Sequence, residues 1–160
     1  RVLDTRKTLP GLRLAQKYAV RVGGGVNHRI GLYDAVMLKE NHILAEGSID
    51  NAVRKARILF PTIPIIVEVE NLDELQQALA TDCTRILIDD FTDADMRAAV
   101  TMAGGRKPLE VSGSVTLERL HSIAAAGVDF VSVGAITKHI HAIDFSMRLG
   151  IPPAQTALNP

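Results

Sequence analysis

The sequence predicts an α/β fold, an α/β barrel of repeated βα units that is six-stranded or incomplete. Three observations carry this expectation. Short apolar runs alternate with helical patterns of about 10–15 residues, the rhythm of parallel βαβ packing. The runs are nearly continuous in Val, Ile and Leu, as in Ile65-Ile66-Val67 and Ile86-Leu87-Ile88, which is how strands read when both faces of a sheet are covered. Polar residues recur at the ends of these runs, where a barrel would gather them above one packed core. Periodicity alone does not separate the barrel from an open sheet.

The elements follow in order. Val2-Leu3 reads as the end of a strand, and because the chain starts without Met at that point we expect residues upstream. Pro10 is suited to the first turn of a helix over Pro10–Arg21, and Gly23-Gly24-Gly25 ends it. Val36–Lys39 is a short strand. Ser48 caps a helix whose apolar stripe is Ile49, Ala52, Val53, Ala56 and Leu59. Ile63–Glu70 is a strand, and Asn71 caps the next helix, with Glu74 supporting the boundary. Strand Arg85–Asp89 precedes a Thr92-capped helix over Ala94–Met102. Pro108–Val111 and Thr116–Ala126 form another strand-helix pair. Val128–Val133 is the last strand, followed by a short helix around Thr137–Arg148. No linker divides the series, so residues 1–150 are expected to form one barrel domain and 151–160 a C-terminal tail.

Composition bounds the function. With 160 residues, 47% hydrophobic, the chain can bury a sizeable core. Eighteen basic and eighteen acidic residues cancel, and no long basic stripe is present, which disfavours nucleic-acid binding. The apolar runs are too short and too often charged to span a membrane, and no apolar signal region opens the chain. Cys83 is the sole cysteine; it has no internal disulfide partner and fits a reducing compartment such as the cytoplasm. It reads as a small buried apolar residue.

Against this neutral background the local charges stand out. Asp4-Thr5-Arg6-Lys7-Thr8 sets two cations beside a strand end, and His28-Arg29 and Lys39 add more. Arg6 and Arg29 can pair bidentately with carboxylates or phosphates, while Lys7 and Lys39 are compact charges. The set suggests a pocket for a small, strongly anionic substrate. His28 is suited to donating a hydrogen bond to that substrate or to orienting Arg29. A zinc reading of His28 with His42 fails on spacing. Glu68 and Glu70 share one strand face and are costly in a dry interior unless paired or near a polar mouth. Asp89 ends the next strand; for Glu68 and Asp89, capping or salt-bridging competes with ligand binding, and for Asp90 it is the better reading. Ser112-Gly113-Ser114 and Ser132-Val133-Gly134-Ala135 could offer backbone N–H groups to an anion, though turn formation explains either segment taken alone.

In ordered combination these segments are more specific. Asp4-Thr5-Arg6-Lys7-Thr8-Leu9-Pro10-Gly11, Gly23-Gly24-Gly25-Val26-Asn27-His28-Arg29, Lys39-Glu40-Asn41-His42, Glu68-Val69-Glu70, Asp89-Asp90-Phe91, Glu110-Val111-Ser112-Gly113 and Val133-Gly134-Ala135 resemble the family of the quinolinate phosphoribosyltransferases, or nicotinate-nucleotide pyrophosphorylases. Asp90 departs from the Asn often found there. The resemblance covers nearly the whole chain. It implies magnesium-dependent transfer of a 5-phosphoribosyl group from phosphoribosyl pyrophosphate to quinolinate, giving nicotinate mononucleotide, pyrophosphate and carbon dioxide. It implies Arg6, His28, Arg29 and Lys39 around the quinolinate carboxylates, and Lys7 near quinolinate or the substrate phosphates. Glu68 and Asp89 would serve the ribose hydroxyls or magnesium, and Ser112, Gly113, Gly134 and Ala135 the 5-phosphate. Lys7, Lys39, Glu68 and Asp89 are the residues on which catalysis would rest. The family also implies a separate N-terminal domain and a site built at a dimer interface.

Two other readings stay open at the level of sequence. A phosphate-sugar lyase or aldolase on the same barrel would use Lys39 as a Schiff-base nucleophile. A non-catalytic metabolite-binding fragment would bind the same ligands without turnover.

Overall fold

The computed structural model describes residues 1–150, so the expected tail over 151–160 lies outside the described residues. Its centre is a sheet of six parallel strands in the order β1-β6-β5-β4-β3-β2. They are β1 (Val2–Leu3), β2 (Val36–Leu38), β3 (Ile65–Val69), β4 (Arg85–Asp89), β5 (Leu109–Ser112) and β6 (Phe130–Ser132). The helices are α1 (Arg13–Val22), α2 (Glu40–Glu46), α3 (Ile49–Leu59), α4 (Leu72–Leu79), α5 (Asp93–Ala103), α6 (Leu117–Ala126) and α7 (Ala135–Lys138).

The caps read from the sequence act as expected at three helices, and Thr116, read as the first residue of its helix, caps a fourth. The side chains of Ser48, Asn71, Thr92 and Thr116 each accept from the backbone N–H three residues on, at Asn51, Glu74, Asp95 and Arg119. Each capped N–H would otherwise be an orphan donor. Asn71 is reinforced by Glu74, whose carboxylate accepts from the Glu70 N–H at 2.9 Å.

Three elements differ from the sequence reading by more than two residues. The first helix begins at Arg13, not Pro10, because Gly11 sits at φ 76°, outside right-handed helix space, and the Leu9 N–H is taken by the Gln16 side chain at 2.7 Å. Glu40–Glu46, unassigned in the sequence, is a helix closed by Gly47 at φ 79°, where glycine tolerates the left-handed cap. The helix expected over Thr137–Arg148 is confined to Ala135–Lys138; residues 139–150 have no regular structure.

Strand alternation splits the apolar residues into two populations. Ile65, Val67, Val69, Ile86, Ile88, Leu109, Val111 and Val131 pack with helix residues such as Leu75, Met96 and Ile123 in the main core. Ile66 and Leu87 instead form a small separate cluster with Ala35 and Met37. Glu68, Leu87, Glu110 and Phe130 are consecutive partners in the register across β3 to β6, so carboxylates share the inner face with those few apolar groups. The helix-sheet layer therefore carries most of the packing, and the inner face mixes carboxylates with a small apolar cluster.

The sheet is not closed by a continuous ladder. Beyond β1, Val26 forms a parallel bridge with Leu3, and the chain then crosses to β2. Arg29 spans this seam, its Nη1 donating to the Ala35 carbonyl at 3.1 Å and its Nη2 lying 3.5 Å from Met37 Sδ.

Candidate active site

The segment carrying His28 and Arg29 is held by a buried ion pair. Lys17, on α1, is 2% exposed, and Asp4, just past β1, is fully buried. Lys17 Nζ donates to Asp4 Oδ1 at 2.5 Å, to the His28 carbonyl at 2.9 Å and to the Arg29 carbonyl at 3.0 Å. Asp4 also accepts from the His28 N–H and from Asn27 Nδ2, both at 2.7 Å. All three ammonium protons and both carboxylate oxygens are thus engaged, the condition under which a buried pair is tolerated. The first acid of the Asp4-Thr5-Arg6-Lys7-Thr8 cluster is therefore a scaffold residue that fixes the neighbouring cations.

Arg29 is the meeting point of the charged groups. Its guanidinium is held below its ordinary value first by burial and then by Arg6, against the opposing pull of Asp34, Glu68 and Glu110. Two arginines close enough to repel, with further carboxylates nearby, form a field that an anion would relieve. The Nδ1 of His28 accepts from the Arg29 N–H at 2.6 Å, while Nε2 lies 3.2 Å from Glu110 Oε1 without the alignment of a hydrogen bond. As placed, His28 orients Arg29.

Lys39 follows β2 directly and meets Glu68 of β3, with Nζ at 2.7 and 2.6 Å from the two carboxylate oxygens. Its own N–H donates to His42 Nδ1 at 3.1 Å, which ties the lysine to the start of α2. Glu70 lies past the end of β3 and is exposed. A cleft of about 400 Å³ adjoins Glu68, but Glu40, Glu70 and Glu74 line it, a wall of the wrong sign for an anionic ligand.

Asp89 and Ser112 are register partners at the ends of β4 and β5, and the Ser112 hydroxyl donates to Asp89 Oδ1. Gly113 follows at φ 86°. A Cβ there would collide with the Asp90 carboxylate and come within 3.0 Å of the Asp90 nitrogen, so the loop requires glycine twice over. Asp90 itself adopts φ 52°, consistent with a structural role in this turn. Lys7 runs beside the last loop: a Cβ on Gly134 would lie 3.6 Å from Lys7 Cδ and 3.8 Å from Lys138 Cε. Lys7, Gly134 and Ala135 are thereby brought together, with Lys138 as a further cation that the sequence reading did not single out.

Among the described residues, no cluster of three His, Cys, Asp or Glu side chains could hold a metal. No helix in the same region is long and apolar enough to cross a membrane. Burial raises the Cys83 thiol above its ordinary value, which keeps it protonated and inert.

Fold and site together define a βα-barrel protein whose strand ends carry arginine and lysine side chains, two carboxylates and two glycine-bearing loops. The family model described as quinolinate phosphoribosyl transferase, C-terminal domain, matches residues 1–148, and the chain belongs to that family. The chain is 45% identical over 152 residues to the nicotinate-nucleotide pyrophosphorylase [carboxylating] of Mycobacterium leprae, covering 93% of this chain and 54% of that protein. It is 47% identical to a probable enzyme of the same name from Synechocystis, covering 93% and 52%. The solved nicotinate-nucleotide pyrophosphorylase from Francisella tularensis superposes with a TM-score of 0.88 at 56% identity, covering 90% of this chain and 51% of that one. The chain spans about half the length of the curated relatives it matches.

Proposed function

We propose that this chain is the barrel portion of an enzyme that transfers a 5-phosphoribosyl group from phosphoribosyl pyrophosphate to the nitrogen of quinolinate, with decarboxylation, to give nicotinate mononucleotide for NAD biosynthesis. The observation that carries the reading is the family match over residues 1–148, and the half-buried Arg29, whose guanidinium donates to the Ala35 carbonyl and, among the described residues, forms no salt bridge with a carboxylate, fits it. A dicarboxylate such as quinolinate supplies the missing charge. In this reading Arg6 and Arg29 hold the carboxylates, His28 orients Arg29, and Lys39 exchanges its Glu68 partner for substrate. Lys7 approaches quinolinate or the substrate phosphates, Asp89 and Glu68 serve the ribose hydroxyls or magnesium, and Ser112, Gly113, Gly134 and Ala135 cradle the 5-phosphate.

The donor set fits magnesium brought in on substrate phosphates, because Mg²⁺ is commonly bound through one or two carboxylates plus phosphates and water. Glu68 and Asp89 would be its protein ligands. When bound, the ion would neutralise charge developing on the departing pyrophosphate. The basic side chains act in the same sense on that leaving group. After ribosylation the ring nitrogen is positive, so the pyridinium accepts the electron pair released when carbon dioxide leaves, and a proton then takes its place on the ring carbon.

An assembly of two or more copies in the cytoplasm completes the proposal. Leu14, Tyr18 and Val22 support it, since they recur at helical spacing on α1 and are about 70% exposed. The full-length protein, given quinolinate, phosphoribosyl pyrophosphate and magnesium, is expected to release pyrophosphate and carbon dioxide and to form nicotinate mononucleotide. Absence of that product from folded, oligomeric protein overturns the reading. Borohydride trapping of a covalent adduct at Lys39 would favour a Schiff-base lyase instead.

A further inference from the structure

Glu110 lies in the barrel interior with no exposed surface. Its Oε1 is 3.2 Å from His28 Nε2 and its Oε2 is 3.1 Å from Arg85 Nε, while Arg85 in turn stacks 5.2 Å from the Phe130 ring centroid. Neither contact is aligned as a hydrogen bond: His28 Nε2, Arg85 Nε and both Glu110 oxygens are buried without a properly directed partner. A buried carboxylate held by charge contacts alone is expensive, and so it is an improbable choice for packing.

We infer that Glu110 is a positioning residue, which sets the pose of Arg29 through His28; this rests on the reading of Arg29 as a quinolinate contact. The chain of contacts is short. His28 Nδ1 accepts from the Arg29 N–H, which a neutral imidazole can do only when its proton sits on Nε2. Glu110 Oε1 is the acceptor beside that nitrogen, 3.2 Å away although not in line with the N–H direction. A carboxylate, which only accepts, favours this tautomer and disfavours the alternative. The other end of Glu110 is anchored by Arg85, so the carboxylate cannot follow His28 if the ring turns. The polar groups around the ring are Glu110 at Nε2, the Arg29 amide at Nδ1, and Asp4 and Lys17 on its backbone.

Glutamine in place of Glu110 would keep the shape but not the function. Its amide must turn a donor toward either Arg85 or His28. Facing His28, that donor favours the Nδ1–H tautomer, which loses the Arg29 bond.

The test reads the tautomer directly and activity separately, in the full-length enzyme. Imidazole ¹⁵N shifts should show Nε2 protonated and Nδ1 bare on wild-type His28; protonated Nδ1 overturns the inference without need of any variant. Glu110→Gln should convert His28 to the other tautomer and raise the quinolinate KM by about tenfold or more, the scale expected when a binding group is misplaced. The phosphoribosyl pyrophosphate KM should stay within about twofold. A variant that only melts earlier, with tautomer and both KM values unchanged, makes Glu110 a structural counter-ion for Arg85 and overturns the proposal. A tautomer switch with no change in quinolinate KM overturns the link to Arg29 while leaving the transferase reading intact. Wild-type protein without quinolinate turnover overturns both.

Discussion

Lys39 holds Glu68 through both carboxylate oxygens, at 2.7 and 2.6 Å, so two groups assigned to substrate neutralise each other across β2 and β3. The Lys39 side chain is 42% exposed but that of Glu68 only 9%, so Lys39→Met leaves a mostly buried carboxylate without its partner. That should cost about 1–3 kcal/mol and lower the denaturant midpoint accordingly. If the lysine leaves Glu68 to meet substrate, kcat/KM should fall by about a hundredfold or more, on the order of 3 kcal/mol of transition-state stabilisation. Equal, small effects on stability and activity would make the pair a surface salt bridge and nothing more.

Arg29 gives a sharper binding test. Hydrogen bonds to charged groups contribute about 1.5–3 kcal/mol, so Arg29→Ala should weaken quinolinate binding by roughly ten- to a hundredfold. Titration calorimetry on the full-length protein reads this directly. Unchanged affinity would remove Arg29 from the substrate site. Since Arg29 also bridges the seam to Ala35, a melting curve must accompany the titration.

The Asp4–Lys17 pair is the scaffold counterpart. Lys17→Met leaves a fully buried carboxylate beside unpaired carbonyls, and breaking a buried pair in this way costs about 3–5 kcal/mol. Equilibrium unfolding should show a loss of that size. A loss below about 1 kcal/mol would mean that water replaces the ammonium and that the network is not what holds His28 and Arg29.

Asp34 predicts an acid-sensitive loop. Burial alone would raise its carboxyl, but the N–H groups of Ile30, Gly31 and Asp34 itself, with the charge of Lys17, outweigh burial and hold it below the ordinary value. A carboxyl depressed by folding adds stability that is fully present above its unfolded value, about 3.9, and lost as pH falls through the folded one. The stability difference between wild type and Asp34→Asn should thus be largest near neutrality and shrink below about pH 4. A difference independent of pH would rule out the ionised carboxylate as its source.

Gly113→Ala tests the proposed phosphate loop. Positive φ and the collision with Asp90 should together cost about 1–3 kcal/mol. Adding Asp90→Gly removes the colliding carboxylate and should recover part of the loss, a non-additivity that denaturant unfolding of the single and double variants can resolve. Strict additivity would show that the loop moves aside.

Local signals were the legible part of the fold. Arg85–Asp89 has the bounds read from the sequence because a run of aliphatic residues sits between polar ends, and three caps, Ser48, Asn71 and Thr92, announce their helices through a side chain three residues from its target. Glu40–Glu46 escaped because seven residues make too few turns to show a stripe, and because its first residues were read as chemistry. The helix expected over Thr137–Arg148 differs for the opposite reason: Ile140, Ile143 and Met147 recur at helical spacing, yet they are left exposed with no packing to sustain a helix. Of the candidate site, the cations and carboxylates could be named from the sequence. Lys17, Arg85 and Glu110 could not, since a charge buried by partners distant in sequence looks no different on paper from one facing water.

The division between the two apolar populations has a practical consequence. Because the helix-facing layer of Val67, Ile88, Val111 and their partners forms the main core, the groups lining the barrel can be exchanged without dismantling the walls. Such a scaffold behaves like a vessel whose contents are set independently of its frame. Redesign for a different anionic ring compound would then begin at Ile66, Leu87 and Met37, the few inner apolar groups, where a change of shape alters the chamber and leaves the load on the outer layer.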